Sequence, residues 1–166
     1  PQPIRETSMK RFADDYYGLF KIAEESLLEQ YYLGFSVPIV ITRFGLIWTP
    51  EFSEAGAGSL DRENKKILRK LDITGRPLVR HDVHMQDAVQ GILLAMSRPE
   101  AIGENFNFLS SAPYSSEVLC EILRDKYGYP IEDLTTDWYS WTADISKAQN
   151  VLGYEPQVNV LDTLRK

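Results

Sequence analysis

Cysteine is nearly absent: Cys120 is the single one in 166 residues. No disulfide framework and no cysteine-based zinc site can form within one chain. A lone thiol fits a reducing cytoplasm. Cys120 falls within the apolar repeat Val118, Leu119, Ile122 and Leu123, so it reads as core filling, not as a nucleophile. A basic excess is missing too, since 18 Lys+Arg stand against 24 Asp+Glu for a net charge of −6. That argues against a nucleic-acid partner, which needs lysines and arginines to neutralise phosphates. The densest basic stretch is Lys65, Lys66, Arg69 and Lys70, beside Asp61 and Glu63. It reads as the solvated face of a helix. No apolar run approaches membrane-spanning length, so no membrane partner is expected. Internal repeats and low-complexity segments are lacking as well. The chain opens on Pro1-Gln2-Pro3, with neither a methionine nor a signal-peptide pattern. It closes on Val160–Lys166, which reads as the opening of a helix. Both ends are those expected of a piece of a longer chain.

What is present fits one globular domain: 43% hydrophobic and 25% charged residues, with enough length for a sizeable core. Residues 13–32 read as a long helix, with Asp14 and Asp15 suited to its positive N-terminal end and Gly34 ending it. The β-branched run over 37–43 suits a strand buried on both faces among parallel neighbours, with Pro38 at its start. A loop over 49–58 follows, then a helix over 59–71 capped by Ser59. Gly75-Arg76-Pro77 is a turn, and 78–83 reads as a short strand. Helices are expected over 86–96, from Ser115 or Ser116 to Tyr127, and from Asp144 to Gly153, with a strand over 105–109. Helices alternating with strands make the class α/β. Three or four strands are few for an open doubly wound sheet, so the sheet reads as incomplete.

The chemistry starts at Tyr17-Gly18-Leu19-Phe20-Lys21. Residues four apart share one helix face. Free tyrosine titrates near pH ~10. A positive charge about 4 Å away, at an effective dielectric near 20, is worth roughly 4 kcal/mol. That can bring a phenol towards neutral pH, where it exchanges protons with a substrate hydroxyl. The spacing by itself usually describes an aromatic at the core margin beside a solvated amine.

Further segments set Tyr17 and Lys21 in context. They are Pro3-Ile4-Arg5-Glu6 and Ala23-Glu24, then Arg43-Phe44-Gly45-Leu46-Ile47-Trp48-Thr49-Pro50. Gly75-Arg76-Pro77 precedes Arg80-His81-Asp82-Val83-His84-Met85-Gln86-Asp87-Ala88-Val89. Last come Gly103-Glu104-Asn105-Phe106-Asn107, and Asp144-Ile145-Ser146-Lys147-Ala148 closing in Leu152-Gly153-Tyr154-x-Pro156. In this order the segments resemble the C-terminal half of the extended short-chain dehydrogenases/reductases, the NAD-dependent epimerases and dehydratases.

The resemblance implies the second half of a Rossmann-type doubly wound parallel sheet plus the small C-terminal substrate-binding domain. Residues 1–50 would be a remnant of the dinucleotide-binding domain, carrying the Tyr-x-x-x-Lys helix and one strand. Residues 51–166 would be mainly substrate-binding domain, interleaved with returning Rossmann elements. Tyr17 would be the catalytic acid/base. Lys21 would lower its pKa and hold the nicotinamide ribose of the cofactor, NAD or NADP, which Tyr17 would also contact. Arg80 would bind the diphosphate of a nucleotide-sugar, with a structural ion pair as its other reading. His84 and Asp87 match positions of structural use, Asp144 reads as a helix cap, and no metal site is expected. Trp138, Tyr139 and Trp141 could line a sugar site or form a packed edge.

The implied parent is an NAD(P)-dependent nucleotide-sugar epimerase or dehydratase, and a homo-oligomer. The alternative is a non-catalytic cofactor-sensing or scaffold relative. Leu46 in place of Asn, Thr49 in place of Gly, Asp82 in place of an aromatic and Phe20 in place of a small residue depart from the pattern. The family's glycine-rich phosphate loop does not occur in this chain, so the chain alone is expected to be inactive.

Overall fold

The computed structural model describes residues 3–10 and 16–165. Helix α1 spans Tyr16–Phe35. Asp14 and Asp15, expected in its first turn, lie outside the described residues. Gly34 does not end α1 but lies within it. The helix stops at Ser36, which takes a positive φ of 56° while its N–H reaches the Tyr32 carbonyl at 2.9 Å. No residue of α1 is buried.

Strand β1 (Ile41–Phe44) runs parallel to β7 (Asn105–Phe108), pairing Ile41 with Asn105 through Phe44 with Phe108. The expected burial on both faces is not met: all four residues of β1 are half-buried. Among the described residues β7 is its sole strand neighbour, so one edge and part of each face stay uncovered. β2 (Ile47–Trp48) pairs in parallel with β6 (Val83–His84). Between these lies a short helix, α2 (Pro50–Glu54), whose Phe52 N–H donates to the Thr49 hydroxyl at 3.2 Å.

The expected helix over 59–71 is instead a hairpin. β3 (Leu60–Asp61) and β4 (Lys66–Leu71) are antiparallel, and β4 pairs in parallel with β9 (Ile131–Thr135). Lys, Arg and Leu favour helix in isolation, but tertiary pairing overrides that. The turn is set by Asp61, which accepts from the Asn64 backbone and side chain at 3.0 and 2.9 Å, and by Lys65 at φ 52°. Along β4, Ile67 turns into the core while Lys66 reaches Glu132 across the sheet at 2.9 Å. The expected strand 78–83 is two short ones, β5 (Val79–Arg80) and β6, parted by His81 and Asp82. β5 pairs with β8 (Tyr114–Ser115).

Helix α3 (Met85–Ser97) crosses β7 where Gly91 meets the Phe108 ring; a Cβ there would lie 2.6 Å from it. Helix α4 (Ser116–Tyr127) is capped by the Ser115 hydroxyl and stopped by Gly128 at φ 68°, the left-handed turn that glycine adopts without a Cβ clash. Helix α5 (Ser146–Leu152) begins where the Ser146 N–H donates to Asp144 at 2.8 Å and ends at Gly153.

Two apolar cores result. One gathers Trp48, Ile67, Leu119, Cys120, Leu123 and Leu164 around α4. The other gathers Phe106, Phe108, Ala148, Leu152 and Tyr154 between α3, β7 and α5. Burial pushes the Cys120 thiol up to about 11, which suits core filling.

Candidate functional site

Tyr17 and Lys21 share one face of α1. The Lys21 ammonium lies 5.7 Å from the Tyr17 ring centroid and donates to Glu24 at 2.8 Å. The Glu24 carboxylate holds Lys21 above the ordinary lysine pKa. Both side chains are exposed, Tyr17 at 72%. Among the described residues their contacts stay within α1. The helix itself is moored to β1 by Glu25, which takes Arg43 in a two-pronged pair at 2.9 and 2.7 Å and Lys10 at 3.0 Å. Burial works against the Glu25 charge, yet the bonds from Arg43 and Lys10 hold its pKa below the usual value.

The segment ahead of α1 is pinned too. Ile4 N–H donates to the Thr142 carbonyl at 2.8 Å, and Asn107 donates to the Ile4 and Asp144 carbonyls at 3.3 and 3.1 Å. The Asn107 N–H reaches Glu6 at 3.0 Å. The motif Gly103–Asn107 thus positions Pro3–Glu6, which leads towards the Tyr-x-x-x-Lys helix.

Arg80 sits on β5 with Nε and Nη2 donating to Asp82 Oδ1 at 3.3 and 3.1 Å. Asp82 is wholly buried. Its Oδ1 also accepts the Leu46 N–H at 3.3 Å, and its Oδ2 accepts the Trp48 indole N–H at 3.0 Å and the Tyr114 hydroxyl at 2.7 Å. A buried carboxylate is tolerable only when paired and fully hydrogen-bonded, and this one is both. Burial, with the Asp82 charge next to it, raises the Tyr114 phenol far above its ordinary value, so Tyr114 remains a donor. Leu46, where the resemblance expects Asn, serves the node through its backbone.

His81 is buried beside this node. Its Nε2–H donates to the Ser110 carbonyl at 2.8 Å, while Nδ1 accepts the Ala143 N–H at 3.3 Å. Two adjacent residues therefore tie the two cores together: Asp82 bonds Trp48 and Tyr114 of one, and His81 bonds Ala143 of the other. His84 accepts the Gln86 N–H at 3.2 Å at the start of α3, and Asp87 accepts the Gln157 and Val158 N–H groups at 2.9 Å each. No cluster of three metal-ligating side chains occurs among the described residues.

Arg80 also lines a cleft of about 220 Å³ with Leu78, Trp138, Tyr139 and Trp141. Arg80 is in the ion pair that its structural reading expects, and no hydrogen bond from its Nη1 occurs among the described residues. Sequence reasoning grouped these aromatics but missed Asp82 as a hub and Lys70 as their neighbour. Asp82 standing in place of an aromatic was the available signal for the hub.

The parallel β1–β7 and β2–β6 pairs and the helix α3 that crosses them make a fold similar to that of solved short-chain dehydrogenases/reductases. No family model matches the chain. A relative described as an uncharacterized UDP-glucose epimerase, YtcB of Bacillus subtilis (strain 168), is 28% identical over 156 residues, covering 89% of this chain and 49% of that protein. A short-chain dehydrogenase/reductase superfamily protein from Agrobacterium tumefaciens, solved with bound NAD, superposes at a TM-score of 0.82 with 22% identity, over 98% of this chain and 58% of that one. The UDP-glucuronic acid 4-epimerase of Bacillus cereus, in complex with NAD, gives 0.78 and 25%, over 98% of this chain and 52% of that one. The chain spans about half the length of the relatives it matches.

Proposed function

We propose that this chain is the substrate-facing half of an NAD(P)-dependent enzyme that epimerises or dehydrates a nucleotide-linked sugar. The observation that carries the reading is the pairing of Tyr17 with Lys21 on one exposed face of α1, the ammonium 5.7 Å from the ring centroid. The curated relative's description as a UDP-glucose epimerase supports it. In this reading residues 1–50 belong to the dinucleotide-binding domain and residues 51–166 mainly to the substrate domain. The cytoplasm suits its single buried thiol.

Tyr17 and Lys21 fit a cofactor contact, because both polar ends reach solvent on the same helix face. Held by Tyr17 and Lys21, NAD(P) would supply the hydride acceptance and return at a sugar carbon. The chain's own part is proton movement and binding. Tyr17 Oη moves the proton on the neighbouring sugar oxygen, and Lys21 keeps positive charge beside that phenol. Arg80 offers Nη1 to a phosphate while Asp82 holds its other side.

A non-catalytic relative is the second reading. The Lys21–Glu24 bond favours it, since it spends the ammonium on another group. Calorimetry on the full-length protein tests the substrate class. UDP-glucose or dTDP-glucose should bind, and Arg80→Lys should weaken that binding about tenfold, the loss of one charge-assisted contact, with NAD affinity unchanged. No binding of either sugar nucleotide would overturn the reading.

A further inference from the structure

Residues 140–144 run as a strap between β5 and Ile4, bonded on both edges. On the β5 edge the Trp141 N–H donates to the Val79 carbonyl and the Val79 N–H donates to the Ser140 hydroxyl, both at 3.0 Å. On the other edge the Ile4 N–H donates to the Thr142 carbonyl and the Asp144 N–H donates to the Ile4 carbonyl, both at 2.8 Å. The Ala143 N–H lies on the β5 edge, and there a side chain meets it: His81 Nδ1, at 3.3 Å. His81 is buried, and its Nε2 bonds the Ser110 carbonyl at 2.8 Å. One neutral tautomer, with its proton on Nε2, satisfies both bonds.

The strap reaches the Tyr17 helix through the segment that Ile4 begins. Arg5 meets Asp144 at 3.3 Å, the Glu6 carboxylate accepts the Asn107 N–H at 3.0 Å, and Lys10 meets Glu25 and Glu29 of α1 at 3.0 and 2.8 Å. Helix α1 buries none of its residues, so ties of this kind set its place. A line of contacts therefore runs from Arg80 through its neighbour His81 to Ala143, Ile4 and α1. The start of the strap, which carries Trp141 of the Arg80 cleft, is held by Val79 without His81. Losing the Ala143 bond would loosen the way to α1 and leave the cleft as it is.

We propose that His81 is a positioning residue: by fixing Ala143, and through it Ile4, it sets where α1 presents Tyr17 to a substrate held at Arg80. The proposal rests on the nucleotide-sugar reading above. It separates the two bonds of one ring. The Nδ1 bond serves turnover, and the Nε2 bond serves stability.

The test is turnover of UDP- and dTDP-sugars, UDP affinity and thermal midpoint in full-length wild type, His81→Asn and His81→Gln. The asparagine oxygen takes the place of Nδ1 and keeps an acceptor for Ala143. The longer glutamine amide takes the place of Nε2 and keeps the Ser110 bond. His81→Gln should lower kcat by about 10- to 100-fold, the effect of a slightly misplaced reacting group, with UDP affinity unchanged. His81→Asn should keep kcat near that of wild type. A merely structural histidine predicts the reverse order, because His81→Asn gives up the shorter bond and should have the lower thermal midpoint. If His81→Gln does not fold, Ile4→Pro decides: it deletes the Ile4 N–H at the exposed edge of the strap and should lower kcat in the same way. Turnover that is unchanged in these variants, or that follows the thermal midpoint and is lowest in His81→Asn, overturns the role of His81 and leaves the nucleotide-sugar reading standing. If the wild type turns over neither class of sugar nucleotide, both fall.

Discussion

Asp82 occupies a place where the resemblance expects an aromatic ring, and its neighbours explain how a carboxylate survives there. Five donors from four residues, Leu46, Trp48, Arg80 and Tyr114, converge on it. Removing the acceptor would leave an indole N–H, a phenol and a guanidinium without their partner. Asp82→Ala should therefore destabilise the fold by about 3–5 kcal/mol, the range for breaking a buried pair from one side. Urea unfolding measures this, and a loss below about 1 kcal/mol, typical of a surface pair, would show that the node is dispensable. The motif around Arg80 was legible in the sequence as an ordered pattern of residue types. The convergence of Trp48 and Tyr114 was not, since they lie 34 and 32 residues from Asp82 and no local spacing encodes it. The place of Lys70 over the Trp138 ring was hidden for the same reason, since no local spacing encodes it.

Helices with strong caps were the legible elements. Ser115 and Gly128 delimit α4 as expected, and Asp144 starts α5 by accepting the Ser146 N–H. The hairpin of β3 and β4 was not legible, because Lys66–Leu71 carries helix-favouring residues and owes its extended form to β9, far along the chain. The long helix α1 was legible, but its mooring was not. With no buried residue of its own, α1 is tied down by Glu25 reaching Arg43 and Lys10, by Glu29 reaching Lys10 and by Tyr32 packed on Gly103. The folded pKa of Glu25 lies below its ordinary value of 4.5. Its contribution is thus fully present above about pH 4.5 and is lost as the pH falls through the lower folded value. Thermal unfolding at pH 6 and pH 3 should show a smaller decline in Glu25→Gln than in wild type, and from a lower starting midpoint. Identical declines in the two proteins would mean that Glu25 does not help to hold α1.

The molecule leaves much apolar surface open. On α1, Tyr16 is 81%, Phe20 63% and Leu27 58% exposed, and on α3 Leu93 is 60% and Met96 80% exposed. Among the described residues β1 pairs with β7 alone. Contiguous apolar surface and unpaired strand edges seek partners, and relatives about twice as long supply more chain. The 166-residue chain should therefore associate with itself or with a further half at low micromolar concentration. Light scattering that finds a stable 19.0 kDa monomer would show that these faces need no cover. Function was legible only as far as residue types in order could carry it: the Tyr-x-x-x-Lys pair and Arg80 came from pattern, whereas the cleft needed the fold. The central claim is that Tyr17 moves the proton in a nucleotide-sugar reaction. The most direct measurement is turnover of UDP- and dTDP-sugars by full-length wild type and Tyr17→Phe, with NAD affinity measured alongside. Loss of one acid/base group should lower turnover by about 10²–10⁴-fold while NAD affinity holds. Turnover unchanged in Tyr17→Phe would contradict the assignment.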